Sequence, residues 1–380
     1  MKYYPAGPGA PVIVVGGGPA GASCAWRLAA SGHSPVTILD RSTFPRDKVC
    51  GGVLSERGSS KLLESGMLSR DELDSLTLCT HDTITFWNRD ELLRTYTSPR
   101  DPVRMVSRRE FDDFLLGRAK EAGARVLQGK TVREIGPEEV QTSEGESLPF
   151  DRLVGADGCG SAVRSYLESS GGSAGRSKPG IGMEYFLPPG SLADMPPGLN
   201  IVFGNIPYGY IWVFPDPEKV NAGAGSLGRR VEPSRVVHEL QSFLRRRNVS
   251  FGAERIMGAS IPSLSLNRRM GRGRIYLAGD AAGTVDAVSG EGMGYAVGSG
   301  LLAADDILAG GDRSVIGKRG RECWGPVAES RFYRHLLYNP LTFGTAMRSL
   351  RDSETFAAGY WSLISGSTSY RGMIRRVLDL

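Results

Sequence analysis

PVIVVGGGPAGASCAWRLAASGHSPVTILD, residues 11–40, decides the fold. The run PVIVVG is short, continuous and β-branched, so it reads as a buried strand. PAGASCAWRLAASG reads as a helix with small residues on one face, and PVTILD as a second buried strand. Together they make a parallel strand–helix–strand unit. Its first turn, Gly16-Gly17-Gly18-Pro19-Ala20-Gly21, fits G-x-G-x-x-G, with Ala25 four residues later. Gly16 permits the turn, Gly18 lets backbone approach a pyrophosphate, and Gly21 lets helix and strand pack closely; Ala20 sits among them. The helix start offers free N–H groups and a positive dipole end to phosphates. Asp40 closes the second strand 24 residues after Gly16, where a carboxylate accepts ribose hydroxyls, and Arg41 joins it at that rim. Asp40 would repel a 2′-phosphate, so FAD or NAD fits.

Reading outward, residues 43–60 are a Gly/Pro-rich connection. TITFW and LLRTY, within 79–97, suggest antiparallel strands, and 109–123 is an amphipathic helix. Three short strands are expected across 124–149. DRLVGADG (151–158) reads as a strand ending in a tight turn, followed by a helix through Leu167. The segment 169–180 has linker composition. Several strands are expected in 181–226, a helix at 233–247, a strand and Gly-Asp turn at 274–283, and a glycine-opened helix at 290–310. The remainder, 321–380, reads as mostly helical and rich in aromatics. The expected fold is α/β: a Rossmann-like dinucleotide-binding domain with an inserted antiparallel β-sheet substrate domain and a helical C-terminal tail. The expected domains are 1–78, 98–170 and 260–310 for the cofactor, 79–97 and 171–259 for substrate, and 311–380 for the tail.

Composition narrows the class. Glycine numbers 51 in 380 residues, roughly twice the usual share of ~7%. No Gly-X-Y period exists, so the excess belongs to positions where a side chain would obstruct a close approach. The net charge is +5, with 38 Arg against 8 Lys. The basic residues are scattered and form no nucleic-acid stripe. Short runs at Arg245–Arg247, Arg268–Arg274 and Arg371–Arg376 read as solvated surface, with an anionic membrane face or a diphosphate headgroup as the rival reading. Five cysteines without a CxxC, and four scattered histidines, give neither a disulfide framework nor a metal set. A reducing cytoplasm fits, with the inner face of the membrane as a peripheral contact through the aromatic tail, Arg371, Arg375 and Arg376. No apolar run reaches ~18 residues, the length of a spanning helix. No sequence signal sets an oligomeric state.

Further motifs recur in order. Gly155-Ala156-Asp157-Gly158 and Gly279-Asp280-Ala281-Ala282 are strand-end turns, and Gly290-Glu291-Gly292-Met293 opens a helix. Three glycine-rich strand ends in this order resemble FAD-dependent oxidoreductases of the glutathione-reductase-like class, in the branch shared with aromatic hydroxylases. The resemblance implies that Asp280 holds the ribityl or pyrophosphate region. It also implies that the 290–294 helix start faces the flavin pyrimidine, Asp157 lies beside the cofactor channel, and Arg108 contacts FAD. Two motifs are similar to those of geranylgeranyl reductases. One is Pro45-Arg46-Asp47-Lys48-Val49-Cys50-Gly51-Gly52. The other is Tyr210-Ile211-Trp212-Val213-Phe214-Pro215, followed after seven residues by Gly223-Ala224-Gly225. Tyr210, Trp212 and Phe214 alternate and so share one strand face, an apolar wall suited to a polyprenyl chain, with Gly223 and Gly225 beside it. The family usually has proline where this chain has Ala287, a departure expected to loosen the loop near the flavin.

The resemblance implies saturation of C=C bonds in a geranylgeranyl or other polyprenyl chain, by hydride from reduced flavin N5 plus a proton. Cys50 is the candidate proton donor, Tyr210 a weaker one, and Gly51 beside Cys50 clears the flavin. Only one dinucleotide fingerprint is present, so NADPH binds transiently or reduced ferredoxin donates the electrons. The rival readings are a flavin-dependent monooxygenase or halogenase on the same scaffold, and a quinone-linked flavin electron carrier.

Overall fold

A computed structural model describes residues 10–170, 179–227, 231–249 and 255–377. The expected linker lies mostly outside them. The chain opens with β1 (Val12–Val15), α1 (Pro19–Ala30) and β2 (Val36–Leu39). Next come β3 (Val53–Leu54), α2 (Glu56–Glu64), α3 (Arg70–Ser75), β4 (Thr77–His81), β5 (Thr83–Asn88), β6 (Glu91–Thr97), β7 (Val103–Val106) and α4 (Arg108–Glu121). The strands β8 (Arg125–Leu127), β9 (Val132–Ile135), β10 (Glu139–Thr142), β11 (Ser147–Pro149) and β12 (Arg152–Gly155) precede α5 (Ala162–Ser169). The second half holds β13 (Gly180–Leu187), β14 (Leu199–Phe203), β15 (Gly209–Pro215), β16 (Val220–Ser226), α6 (Pro233–Arg246) and β17 (Met257–Ile261). Then follow β18 (Gly271–Arg272), β19 (Ile275–Leu277), a 3-10 turn at Gly279–Ala282, and five helices. These are α7 (Met293–Leu308), α8 (Ser314–Tyr338), α9 (Pro340–Asp352), α10 (Glu354–Ile364) and α11 (Tyr370–Val377).

The opening unit nucleates a six-stranded sheet in the order β18-β19-β12-β1-β2-β8. Its strands are parallel apart from the edge strand β18. Strand β1 is buried throughout, as its unbroken Val/Ile run requires. Small residues let α1 and α7 approach closely: a Cβ on Gly300 would stand 2.1 Å from the Ala20 carbonyl oxygen. The region 124–149 holds four strands, where three were expected. Strand β8 joins the parallel sheet while β9–β11 form a small sheet of their own. The 43–60 connection also contains β3 and the start of α2, capped by Ser55.

The second large sheet runs β17-β13-β16-β15-β14-β5-β6. It is antiparallel except for β5 and β14, which pair in parallel, so the early 83–97 hairpin enters this sheet beside a strand more than a hundred residues later. One face carries α6 through Val236, Leu240, Phe243 and Leu244. The other face is covered by the tail. Leu350, Tyr360 and Trp361 pack in one core with Phe86, Phe203 and Trp212. The Tyr360 ring meets Phe86 edge-on at 5.3 Å and Phe203 at 6.0 Å. Among the described residues no helix is long and apolar enough to cross a membrane.

Candidate functional site

A cavity of about 800 Å³ runs from the glycine turn after β1 to the aromatic face of β15. It collects Gly16, Gly18, Ala20, Asp40, Arg41, Cys50, Gly51, Arg108, Asp157, Gly279, Asp280, Gly290, Gly292 and Met293, together with Tyr210, Trp212, Phe214 and Gly225. Of the expected site residues, Gly21 and Gly223 do not border it. Gly21 lies under the turn, where a Cβ would sit 1.8 Å from the Gly16 carbonyl oxygen. Gly223 is covered by the Trp212 indole, so it does not form substrate wall. Its Cβ would stand 2.1 Å from the indole Cζ2, and Gly225 flanks the same ring at 3.3 Å. Register explains the spacing of this motif. Trp212 faces Gly223 and Tyr210 faces Gly225 across β15 and β16. A side chain there would push the indole out of the sheet.

At the opposite end Gly16 holds φ +102°, and a Cβ would strike the Ala156 carbonyl oxygen at 2.3 Å. Glycine is therefore required on both counts. Asp40 accepts the Gly17 N–H at 2.7 Å and the Ser42 N–H at 2.8 Å, so it braces the turn as well as bordering the cavity. Gly18 and Gly292 precede α1 and α7 with no side-chain cap, leaving two helix starts with unsatisfied N–H groups beside the cavity. Asp157 accepts the Ala162 and Val163 N–H groups through Oδ2. Its Oδ1 is buried without a partner among the described residues, as is Arg46 Nη1. Burial holds the Asp157 carboxyl above the ordinary aspartate range despite those bonds. The Asp280 carboxylate makes no hydrogen bond to a described residue. Two uncapped helix starts and orphaned donors and acceptors around one long cavity fit a dinucleotide cofactor such as FAD.

The Arg108 guanidinium binds Asp112 bidentately at 2.8 Å, and Arg46 reaches the same carboxylate at 3.2 Å. In the sequence Arg46 is one position of the Pro45–Gly52 motif. Its place within 3.4 Å of a Cβ built on Gly18 makes it a candidate phosphate contact. Cys50 lies between the two halves of the site. Its N–H donates to Glu184 Oε1 at 3.1 Å and its carbonyl accepts from Asn221 Nδ2 at 3.1 Å. Asn221 also donates to Glu184 Oε2 and accepts the Trp212 indole N–H at 2.7 Å. The Cys-Gly-Gly turn and the aromatic strand are thus fixed to each other by two buried polar side chains that sequence reading missed. Burial raises the Glu184 carboxyl above its usual range.

The Tyr210 hydroxyl donates to the Ser289 carbonyl, and burial raises its pKa. Ser289 belongs to the loop joining the Gly-Asp turn to α7. Ala287 does not loosen this loop. Its N–H donates to Ser330 Oγ at 2.8 Å, a bond proline could not make. Asp286 accepts the Val288 and Ser289 N–H groups at 2.8 and 2.9 Å and the Tyr370 hydroxyl at 2.7 Å, while Tyr338 donates to the Val288 carbonyl at 2.8 Å. Glu291 is held by Ser55 and Arg57. The tail, which shows no motif, therefore supplies three anchors for this loop and one cavity residue, Ile364. Its aromatics Tyr338, Tyr360, Trp361 and Tyr370 are buried, whereas Phe332, Leu336 and Leu341 are exposed and Arg371 pairs with Glu329 at 3.0 Å.

Comparison with known proteins agrees with this geometry. Residues 9–178 match the family model described as FAD binding domain. An FAD binding domain thus occupies the first part of the chain, which supports an FAD-dependent oxidoreductase. This oxidoreductase is 29% identical to the menaquinone reductase of Mycolicibacterium smegmatis, over 80% of this chain and 77% of that protein. It is also 29% identical to the chloroplastic geranylgeranyl diphosphate reductase of Oryza sativa subsp. japonica, over 79% of this chain and 66% of that one. Its fold is shared with a geranylgeranyl bacteriochlorophyll reductase-like protein from Thermoplasma acidophilum. The TM-score is 0.75 at 19% identity, covering 97% of this chain and 98% of that one. The oxidoreductase thus carries the resemblance to geranylgeranyl reductases across most of its length, beyond the motifs that first suggested it.

Proposed function

We propose that this oxidoreductase saturates C=C bonds of a geranylgeranyl or other polyprenyl chain. One observation carries the reading: the face of Tyr210, Trp212 and Phe214 borders the same cavity as the dinucleotide-binding turns, with Leu199, Ile201 and Ile364 extending the apolar lining. When bound, FAD in its reduced form supplies a hydride from N5. Gly16, Gly18, Arg46, Arg108, Asp157 and Asp280 are the residues that would hold it. The aromatic face orients the alkene and keeps water out. An unactivated alkene needs a proton on one carbon as hydride reaches the other, and the Cys50 thiol holds that proton at Sγ. Tyr210 is assigned to the wall, because its hydroxyl hydrogen is already committed to the Ser289 carbonyl. Electrons come from transiently bound NADPH or from reduced ferredoxin.

The test is anaerobic incubation of purified flavoprotein with dithionite and geranylgeranyl substrates, followed by mass analysis. The expected product is heavier by one hydrogen pair per reduced bond. A product containing oxygen, or turnover requiring oxygen, overturns the reading in favour of a monooxygenase. The menaquinone reductase relative supports a second reading, an electron carrier to quinones. Reoxidation of the reduced protein by a quinone whose alkenes stay intact would establish it.

A further inference from the structure

The arginine-rich stretch at 268–274 meets two further arginines on one side of α8. Trp324, Arg331 and Arg334 fall seven and ten residues apart, close to two and three helical turns, so they share one side of the helix. The Arg268 guanidinium lies over the Trp324 ring at 5.4 Å. Arg331 Nε donates to the Ser263 carbonyl at 3.2 Å and Arg334 Nη1 to the Leu227 carbonyl at 3.3 Å. Ser263 Oγ donates to that same Leu227 carbonyl at 3.0 Å, which fixes the two guanidiniums side by side. Arg164 approaches from α5, held by Glu168 at 2.9 Å and donating to the Ala281 carbonyl at 3.2 Å. The next residue, Ala282, accepts the Asn267 N–H at 2.8 Å, next to Arg268 in sequence.

Two of these cations, Arg268 and Arg331, lack counter-ions among the described residues. No carboxylate of a described residue lies within ion-pairing distance of Arg268 or Arg331, and Arg331 Nη2 is buried with no hydrogen-bond partner among them. Burial, then Arg268, Arg334 and Arg164, pushes the Arg331 guanidinium down to about 10. Guanidinium planes match phosphate oxygens in pairs, and a polyvalent anion would relieve their mutual repulsion. The place is also informative, because Leu227 and Pro262, beside the arginine-holding carbonyls, border the main cavity.

We infer that Arg268, Arg331 and Arg334 form a binding site for a phosphate or diphosphate group. The group belongs either to a soluble ligand or to the headgroup of an anionic lipid. That its apolar chain enters the adjoining cavity rests on the polyprenyl reading; anion binding does not.

The test is calorimetric titration of inorganic pyrophosphate into the FAD-loaded full chain. Saturable binding is expected, weakened at least about tenfold in R268Q/R331Q. R331K should fall between, and R371Q, which alters a cation elsewhere, should bind as the wild type does. A second arm measures sedimentation with phosphatidylglycerol and with phosphatidylcholine vesicles. Capture by the former alone, lost in R268Q/R331Q, assigns the phosphate to lipid; pyrophosphate binding without capture assigns it to a soluble ligand. Failure to bind either probe, or equal binding by wild type and R268Q/R331Q, overturns the proposal. Should the double variant unfold, R331K and R268Q measured singly decide by the same criterion. Alkene reduction without pyrophosphate or vesicle binding sinks only the anion site, and binding without alkene reduction sinks only the polyprenyl reading.

Discussion

The Trp212 indole lies flat on the backbone of β16, and that contact sets what the site tolerates at the residue scale. Gly223→Ala places a methyl 2.1 Å from the ring, so the indole must move and its bond to Asn221 must stretch. A loss of ~1–3 kcal/mol is expected in urea unfolding, with a shift in tryptophan emission. Cys50 gives a sharper test. Cys50→Ala should lower alkene turnover by roughly 10²-fold or more while FAD stays bound; unchanged turnover would remove the thiol from the chemistry. Asp157 yields a pH prediction. Its carboxyl titrates higher in the folded protein than in the unfolded chain, so the folded state holds the proton more tightly. Stability without cofactor should therefore fall as pH rises from about 4 through the raised value. Asp157→Asn should flatten that part of the pH–stability curve relative to wild type, and should weaken FAD retention.

At the scale of elements, the 284–292 loop behaves as a strap tied to α8 and α11. Tyr370→Phe removes a donor to buried Asp286. It should cost about 1–3 kcal/mol in denaturant unfolding, and perturb the visible spectrum of bound FAD although Tyr370 does not border the cavity. Ser330→Ala should act on the same loop, and the two losses should not add. The elements that sequence reading found were those with local signals. The 11–40 unit has its periodicity, its glycines and its closing Asp40 within one short stretch. The β3–α2 segment hid inside a Gly/Pro-rich connection because its pairing partner, β7, lies some fifty residues away. Glu184 and Asn221 were invisible for a different reason. Both sit in strands with little alternation of polarity, and nothing local says that their polar ends turn toward Cys50. Ala287 misled because the absence of proline was read as freedom, whereas the N–H it restores is used.

At the scale of the molecule, the cavity wall is a joint product of sheet and tail. Truncation after Tyr338 would uncover Phe86 and Phe203 by removing Leu350, Tyr360 and Trp361. Each large apolar side chain returned to water costs ~1.5–3 kcal/mol. The shortened chain is expected to aggregate or to lose FAD, checked by size-exclusion chromatography with absorbance at the flavin band. The cavity itself was legible in outline, since nearly all the motif glycines and carboxylates converge on it. The closure by α8–α11 was not, because those helices contact partners more than a hundred residues upstream. Close packing of Ala20 against Gly300 has one more consequence, for the order in which the protein can be made. A growing chain presents its glycine turn long before the later elements that complete the site. Strand β19 has yet to be synthesised when β12 emerges, and α1 waits some 270 residues for α7. Such distant pairing slows folding. Until then one strand edge and a strip of alanine and glycine stand exposed on the nascent chain. Tight retention of FAD should therefore report completed synthesis, and chains stalled before α7 should depend on chaperones.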